Sequence, residues 1–163
     1  MPVKLVHHSF ESPVGFINLV ADEQHLIEVY FSDALSKCDG HLPNILLDTK
    51  TQLIEYFEGK RTNFTLNFEI NGTPFQKKVW EHVQKVSYGK TSSYIEIARL
   101  VGSEKYTRAV GLANGKNKLP IIIPCHRVIG SNGKLTGYSG GLERKKWLLK
   151  HELQFGGPND KLF

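Results

Sequence analysis

The four residues Asn71-Gly72-Thr73-Pro74 divide this 163-residue chain into two stretches that obey different rules. Before them, apolar residues alternate or run in short β-rich strings. After them, apolar residues recur at three- and four-residue spacing behind clear helix-start signals. This punctuation predicts an α+β (α/β two-domain) protein. Residues 1–71 are expected to form a small β-sheet with a helix, and residues 72–163 a mainly helical domain.

In the first stretch, residues 3–9, 15–21 and 26–31 read as strands of a meander, separated by Ser12-Pro13 and Asp22-Glu23-Gln24. Residues 44–58 have helical spacing, with Leu46, Leu53, Ile54 and Phe57 on one face and Gly59 as a stop. Phe64, Leu66, Phe68 and Ile70 then alternate with Thr65, Asn67 and Glu69, which predicts one more half-buried strand. Cys38 sits in a polar loop with no visible partner. Nothing in this half has the look of a reaction centre, and it reads as scaffold.

The second stretch opens on helix grammar. Thr73-Pro74-Phe75-Gln76 fits a capping box with proline at the first helical position, followed by Phe75, Val79, Val83 and Val86 along one face. Ser93-Tyr94-Ile95-Glu96 is a second capping box, starting a helix that runs through Leu100 and ends at Gly102. Another helix follows, with Tyr106, Ala109, Val110 and Ala113 on one stripe. Two short helices joined by a tight glycine-containing turn predict a helix-turn-helix. Its second helix, Arg108-Ala109-Val110-Gly111-Leu112-Ala113-Asn114-Gly115, offers few side chains able to read base edges. Small residues there let the backbone approach DNA closely, and Arg108 is its one large cation. That favours binding by shape and phosphate, with Arg108 able to fill the gap an extruded base leaves.

Charge agrees with this division. Residues 1–71 carry 5 basic and 10 acidic side chains, whereas residues 72–163 carry 16 basic and 6 acidic. The asymmetry is not needed for folding, and it suits a C-terminal half that meets a polyanion.

The apolar run Leu119-Pro120-Ile121-Ile122-Ile123-Pro124 leads into Cys125-His126-Arg127-Val128. It reads as a buried strand that delivers Cys125 where regular structure ends. A nucleophilic cysteine works as its thiolate, which cationic or proton-accepting neighbours favour over the free value of ~8.5. His126 and Arg127 are such neighbours, and Asn117 lies just upstream.

Pro124-Cys125-His126-Arg127-Val128 resembles the active-site signature of the O6-alkylguanine-DNA alkyltransferases. The resemblance runs from about Gly72 to Leu153. It includes Gly72-Thr73-Pro74-Phe75-Gln76, Arg108-Ala109-Val110-Gly111, Gly137-Tyr138-Ser139-Gly140-Gly141 and Trp147-Leu148-Leu149, in order. It implies direct repair of O6-alkylguanine, chiefly O6-methylguanine with O4-methylthymine as a second candidate, by base flipping and irreversible transfer to Cys125. The partner it implies is double-stranded DNA, bound through the minor groove without sequence preference by a monomer. No cofactor or metal is expected, since the damaged DNA is itself the donor.

Site roles follow from the same resemblance. Cys125 is the nucleophile and permanent acceptor, His126 its base through a water, and Glu152 the group that orients the imidazole. The residue pattern supports Glu152 independently, because i+4 from Leu148 and i+3 from Leu149 turn its carboxylate toward the apolar face. Asn117 matches the asparagine that braces the active-site loop. Tyr94 matches the tyrosine that helps rotate the 3′ phosphate and donates to guanine N3. Arg108 matches the intercalating arginine, with Thr107, Ala109, Gly111 and Asn114 beside it on the DNA-binding helix. Pro120, Val128, Tyr138 and Ser139 are expected to line the alkyl pocket.

Other function classes fare worse. A non-catalytic alkyltransferase-like damage binder replaces the nucleophile, which is present here. A multi-cysteine zinc regulator needs more than the two cysteines, Cys38 and Cys125. A thiol protease needs the imidazole beside the sulfur in space and leaves the basic half without a purpose. No apolar run approaches the ~18 residues of a membrane helix. The first residues lack a secretory pattern, so a reducing, cytoplasmic setting is expected.

Overall fold

The computed structural model describes residues 3–156, which divide into two compact units, Met1–Ile70 and Asn71–Phe163. In the first unit β1 (Val6–Ser12), β2 (Gly15–Ala21) and β3 (Leu26–Ser32) form an antiparallel sheet in the order β1-β2-β3. The first strand lies three residues later than the sequence suggests, because Ser12 pairs with Gly15 and closes the hairpin there. Ser12 Oγ donates to the Gly15 carbonyl at 2.7 Å and accepts from Val14 N at 3.2 Å.

Helix α1 (Asn44–Phe57) buries Ile45, Leu46, Thr49, Gln52, Leu53 and Tyr56. The buried face is turned from the one the spacing predicts: Ile54 is exposed and Phe57 only half-buried. Two polar residues occupy the inward stripe in their place. Thr49 Oγ1 donates to the Ile45 carbonyl at 2.7 Å, and the Gln52 amide bonds Thr65, so neither is left unsatisfied. Residues 64–70 keep the alternating half-buried and exposed pattern, yet they form no strand. They meet β3 at a single bridge, Leu26 to Phe68, with backbone bonds from Leu26 N to Asn67 O and from Glu69 N to Leu26 O.

The second unit begins with α2 (Pro74–Val83), whose Thr73 cap and Gln76 form the reciprocal capping box. Val86 lies past its end. A second capping box, Ser93 with Glu96, starts α3 (Tyr94–Val101). Gly102 ends α3 at φ 151°, where an added Cβ would stand 3.1 Å from the Tyr106 ring. A single 3-10 turn, Glu104–Tyr106, leads into α4 (Thr107–Gly115). Tyr106 therefore belongs to the turn and is exposed, and the inward stripe of α4 is Val110, Ala113 and Asn114. Trp80 Nε1 donates to the Ala113 carbonyl at 2.9 Å and fastens α2 to α4.

Ser93 is buried and bonds the Glu96 amide at 3.1 Å, while Glu96 Oε1 accepts from Ser93 N and Oγ. Replacing Ser93 by alanine removes this cap at a cost of about 1 kcal/mol. Thermal unfolding should show a Tm lower by roughly 4–8 °C; an unchanged Tm would mean that the cap contributes nothing.

β4 (Ser92–Ser93) pairs in parallel with β5 (Val128–Ile129). This short pairing sets the start of α3 beside the segment that carries Cys125. That segment is no strand, contrary to the expectation. Residues 119–129 are all buried, and Pro120 bridges Ile123 across a tight turn with Ile121 at φ 73°. Such a φ is strained for a β-branched residue. The Ile123 N to Leu119 O bond, 2.8 Å, and the bracing of Asn117 hold it in place. The unit closes with α5 (Leu142–Gly156), which buries Lys145, Leu148, Leu149, His151 and Glu152.

Candidate active site

Cys125, His126 and Arg127 form one 3-10 turn, so side chains that an extended chain would send apart are turned into the same interior. His126 is fully buried, and its Nε2 meets Glu152 Oε2 at 2.6 Å. Arg127 grips the same carboxylate, Nε to Oε1 at 2.7 Å and a terminal nitrogen to Oε2 at 3.1 Å, and spends its other terminal nitrogen on the Val86 carbonyl. Gly89 N adds a long bond to Oε1, 3.4 Å. Glu152 thus has both oxygens occupied at zero exposure, the arrangement a buried charge requires.

The ionisation states follow from these contacts. Burial pushes the Glu152 carboxyl up, but His126 and Arg127 outweigh it and hold the group well below the usual carboxylate range. With Glu152 an anion, Nε2 of His126 carries the proton and donates it. Nδ1 is then the bare nitrogen, and it is buried with no hydrogen-bond partner among the described residues. Burial also lowers the imidazole's own pKa, with Glu152 pulling the other way, so the ring rests neutral.

Cys125 departs from the simple expectation. It is 2% exposed, and burial pushes the thiol up to about 11, against hydrogen bonding from Asn117 and the positive field of Lys145. Its neighbours do not win over desolvation, and the resting sulfur is protonated. To react as a thiolate, this sulfur would need a base to take its proton.

Asn117 is buried, donates from Nδ2 to the Ile123 carbonyl at 2.9 Å and accepts from Leu119 N at 2.9 Å. It spans the turn that precedes Cys125. Asn114, expected on the DNA face, points the other way: it is buried and donates to the Cys125 carbonyl at 3.1 Å. The reason is periodicity, since Asn114 lies four residues after Val110 on the inward stripe of α4.

A cavity of about 480 Å³ opens beside α4, within the range of small-ligand pockets. Tyr94, Thr107, Gly111, Tyr138 and Ser139 line it, together with Gly115, Thr136 and Gly137. Pro120 and Val128, expected in the lining, are buried outside it, as is Cys125. Tyr94 donates its hydroxyl proton to the Thr136 carbonyl at 3.2 Å. Tyr138 is half-buried, and burial raises its phenol well above the usual value. Arg108 is exposed on α4, and Ala109 beside it is half-buried.

Two charged residues of this interior escaped the sequence reading. Arg127 counted there only as local positive charge, and its clasp on Glu152 has no signature in the sequence. Lys145 did have one. It stands three and four residues before Leu148 and Leu149, on the stripe that identified Glu152 from the other side.

Residues 74–154 match the family model described as the DNA binding domain of 6-O-methylguanine DNA methyltransferase, and residues 5–70 match its ribonuclease-like domain. A methylated-DNA–protein-cysteine methyltransferase of Methanosarcina acetivorans is 46% identical over 148 residues, covering 88% of this chain and 95% of its own. The constitutive one of Bacillus subtilis is 41% identical over 151 residues, covering 87% and 92%. Among solved structures, the Mycobacterium tuberculosis O6-methylguanine methyltransferase superposes with a TM-score of 0.84 at 38% identity, covering 96% of this chain and 97% of its own. The M. tuberculosis protein in complex with DNA gives 0.83 at 40% identity, covering 94% and 96%. With both units matched in order and likeness running over nearly the whole length, this chain belongs to the 6-O-methylguanine DNA methyltransferase family.

Proposed function

We propose that this protein repairs O6-alkylguanine in duplex DNA by moving the alkyl group onto Cys125, once per molecule. The observation that carries the reading is the state of His126. One ring nitrogen is locked on an ionised carboxylate, and the other is bare, buried and next in sequence to a protonated cysteine. A neutral imidazole held this way is a general base awaiting a proton.

The step balances as follows. Through a bridging water, His126 Nδ1 takes the Cys125 proton. The sulfur attacks the alkyl carbon in line, forming the S–C bond as the C–O6 bond breaks. The electron pair goes to the departing guanine, with the Tyr94 hydroxyl hydrogen-bonded to N3; guanine then takes a proton at N1 from solvent, and His126 returns the thiol's proton to solvent. The products are an unmodified base and a neutral thioether. A dialkyl thioether, unlike a disulfide, does not exchange with thiols, so the transfer is permanent.

DNA access rests on the helix-turn-helix. An added Cβ at Gly111 would lie 3.9 Å from Tyr94, an ordinary contact, and at Gly115 would meet nothing. Glycine inside a helix costs about 1 kcal/mol relative to alanine, and packing within the chain asks for neither. Close approach of the minor-groove backbone supplies the reason. Because Cys125 is buried, only a base that has left the stack reaches it, with Arg108 filling the space in the duplex. Sequence-independent binding by a monomer in a reducing cytoplasm completes the reading.

Incubation with DNA carrying a labelled O6-methyl group tests it. The label should end on protein at no more than one methyl per chain. Label released in solution, or more than one per chain, would overturn the scheme. Arg108→Ala should slow transfer from duplex DNA by roughly tenfold or more, at about 1–2 kcal/mol, while leaving transfer from a free benzylated guanine unchanged. Equal losses on both substrates would remove Arg108 from the flipping step. Raising salt should weaken duplex binding steeply.

A further inference from the structure

Lys145 is the second charged group on the buried stripe of α5, and the scheme above leaves it unused. Its side chain has zero exposure. Nζ donates to the Val128 carbonyl at 2.7 Å and the Thr136 carbonyl at 2.8 Å, and approaches the Tyr94 hydroxyl at 3.5 Å. All three acceptors are neutral. Arg127, the other buried cation, has Glu152 at 2.7 Å, whereas Lys145 forms no salt bridge among the described residues. A buried ammonium without an anion is costly, and neutral side chains could satisfy carbonyls at less expense.

The position of this charge suggests what it serves. Val128 closes the turn that holds Cys125, its N–H bonding the Cys125 carbonyl. Thr136 and Tyr94 line the cavity where the base is expected. The ammonium therefore joins the nucleophile's turn to two walls of the pocket. The titratable groups around it are Tyr94 from α3 and Cys125 and His126 from the 3-10 turn. From the 136–139 loop, Tyr138 faces Cys125, Glu152 and Arg144. Glu152 is already matched by Arg127, which leaves the Cys125 sulfur as the group that acquires an unmatched negative charge.

Resting on the reading of Cys125 as alkyl acceptor, we propose that Lys145 is the counter-ion built for the transient Cys125 thiolate, a positioning residue that keeps its proton throughout the reaction. While the sulfur is a thiol the cation waits on carbonyls. When His126 removes the thiol proton, the cation offsets the new charge, and it is released from that task when the pair passes to guanine. The counter-charge favours the ionised sulfur that burial alone resists.

The pH dependence has a definite sign. Burial lowers Lys145 to about 8, with Cys125 opposing, so the ammonium is complete below that value and lost above it. Single-turnover methyl transfer, at DNA concentrations that saturate the protein, should therefore slow as pH rises above about 8. A thiol acting without this partner should instead quicken steadily as pH rises from 7 to 10, since the thiol is held up to about 11 even with Lys145 in place. Lys145→Met should transfer about 100-fold more slowly at neutral pH and should lose the alkaline fall, its rate climbing with pH. A variant that transfers within threefold of the unsubstituted protein, or retains the alkaline fall, overturns the proposal. If Lys145→Met fails to fold, the unsubstituted profile decides: a steady climb from pH 7 to 10 overturns the proposal and a fall supports it. No transfer by the unsubstituted protein at any pH overturns the alkyl-transfer reading, and this proposal with it.

Discussion

Cys125→Ser should abolish methyl transfer while leaving the fold and duplex binding in place. The side chain is small, and serine keeps nearly its volume, so no cavity opens in the buried 3-10 turn. A hydroxyl is far less acidic than a thiol and a much poorer nucleophile toward a saturated carbon, and His126 alone cannot offset that difference. Loss should exceed 10⁴-fold, on the order of 6 kcal/mol or more. Single-turnover transfer and a duplex-binding titration, run side by side, check both halves. Residual transfer by the serine variant within a hundredfold would place the acceptor elsewhere.

Glu152→Gln should have the second largest effect, and it acts on stability as well as rate. The amide keeps the shape but removes the anion that balances buried Arg127 and fixes the His126 tautomer. Removing one partner of a buried pair costs about 3–5 kcal/mol, because the other charge is left uncompensated. For a unit of this size that lowers Tm by on the order of 15 °C. Transfer should fall by about 10²-fold or more even below the new Tm, since the imidazole is no longer held as a base. In the unsubstituted protein the carboxyl is held below its unfolded value, so its stabilisation is present above ~4.3. The loss begins as pH falls below that unfolded value and is complete only below the lower folded one. Thermal unfolding from pH 7 to 3 should show its onset below pH ~4.3, and the glutamine variant should lack it. A variant with the Tm and rate of the unsubstituted protein would mean that Glu152 orients nothing.

Much of this architecture was legible before any coordinates. Both capping boxes announce themselves through residues that act on the backbone within four positions, and local rules suffice for those. Glu152 was legible through its spacing from Leu148 and Leu149. The elements misread share a different cause. Residues 64–70 have the period of a strand, but whether a strand forms depends on a partner edge far away in sequence, and only Leu26 supplied it. The run before Cys125 has the composition of a strand, yet Asn117 and the bond from Ile123 to Leu119 fold it into a strained turn. Family likeness points Asn114 at DNA, whereas the structure buries it on the inward stripe of α4.

The meeting of Glu152 with His126 was legible in the sequence, and the electrostatics around them were not. Sequence neighbours made Cys125 look ready to ionise, but burial is a property of the folded unit and reverses the direction. The Arg127 clasp on Glu152 and the isolated ammonium of Lys145 also exist only in three dimensions. Together they surround a cysteine that rests protonated with a neutral imidazole and a buried ammonium.

The most direct test is the intact mass of the protein after exposure to excess O6-methylguanine duplex, followed by peptide mapping. The account predicts a single added methyl group on every active chain, located on Cys125, with no further gain on longer exposure. An unmodified Cys125 alongside repaired DNA, or a methyl group mapped to any other residue, would contradict it.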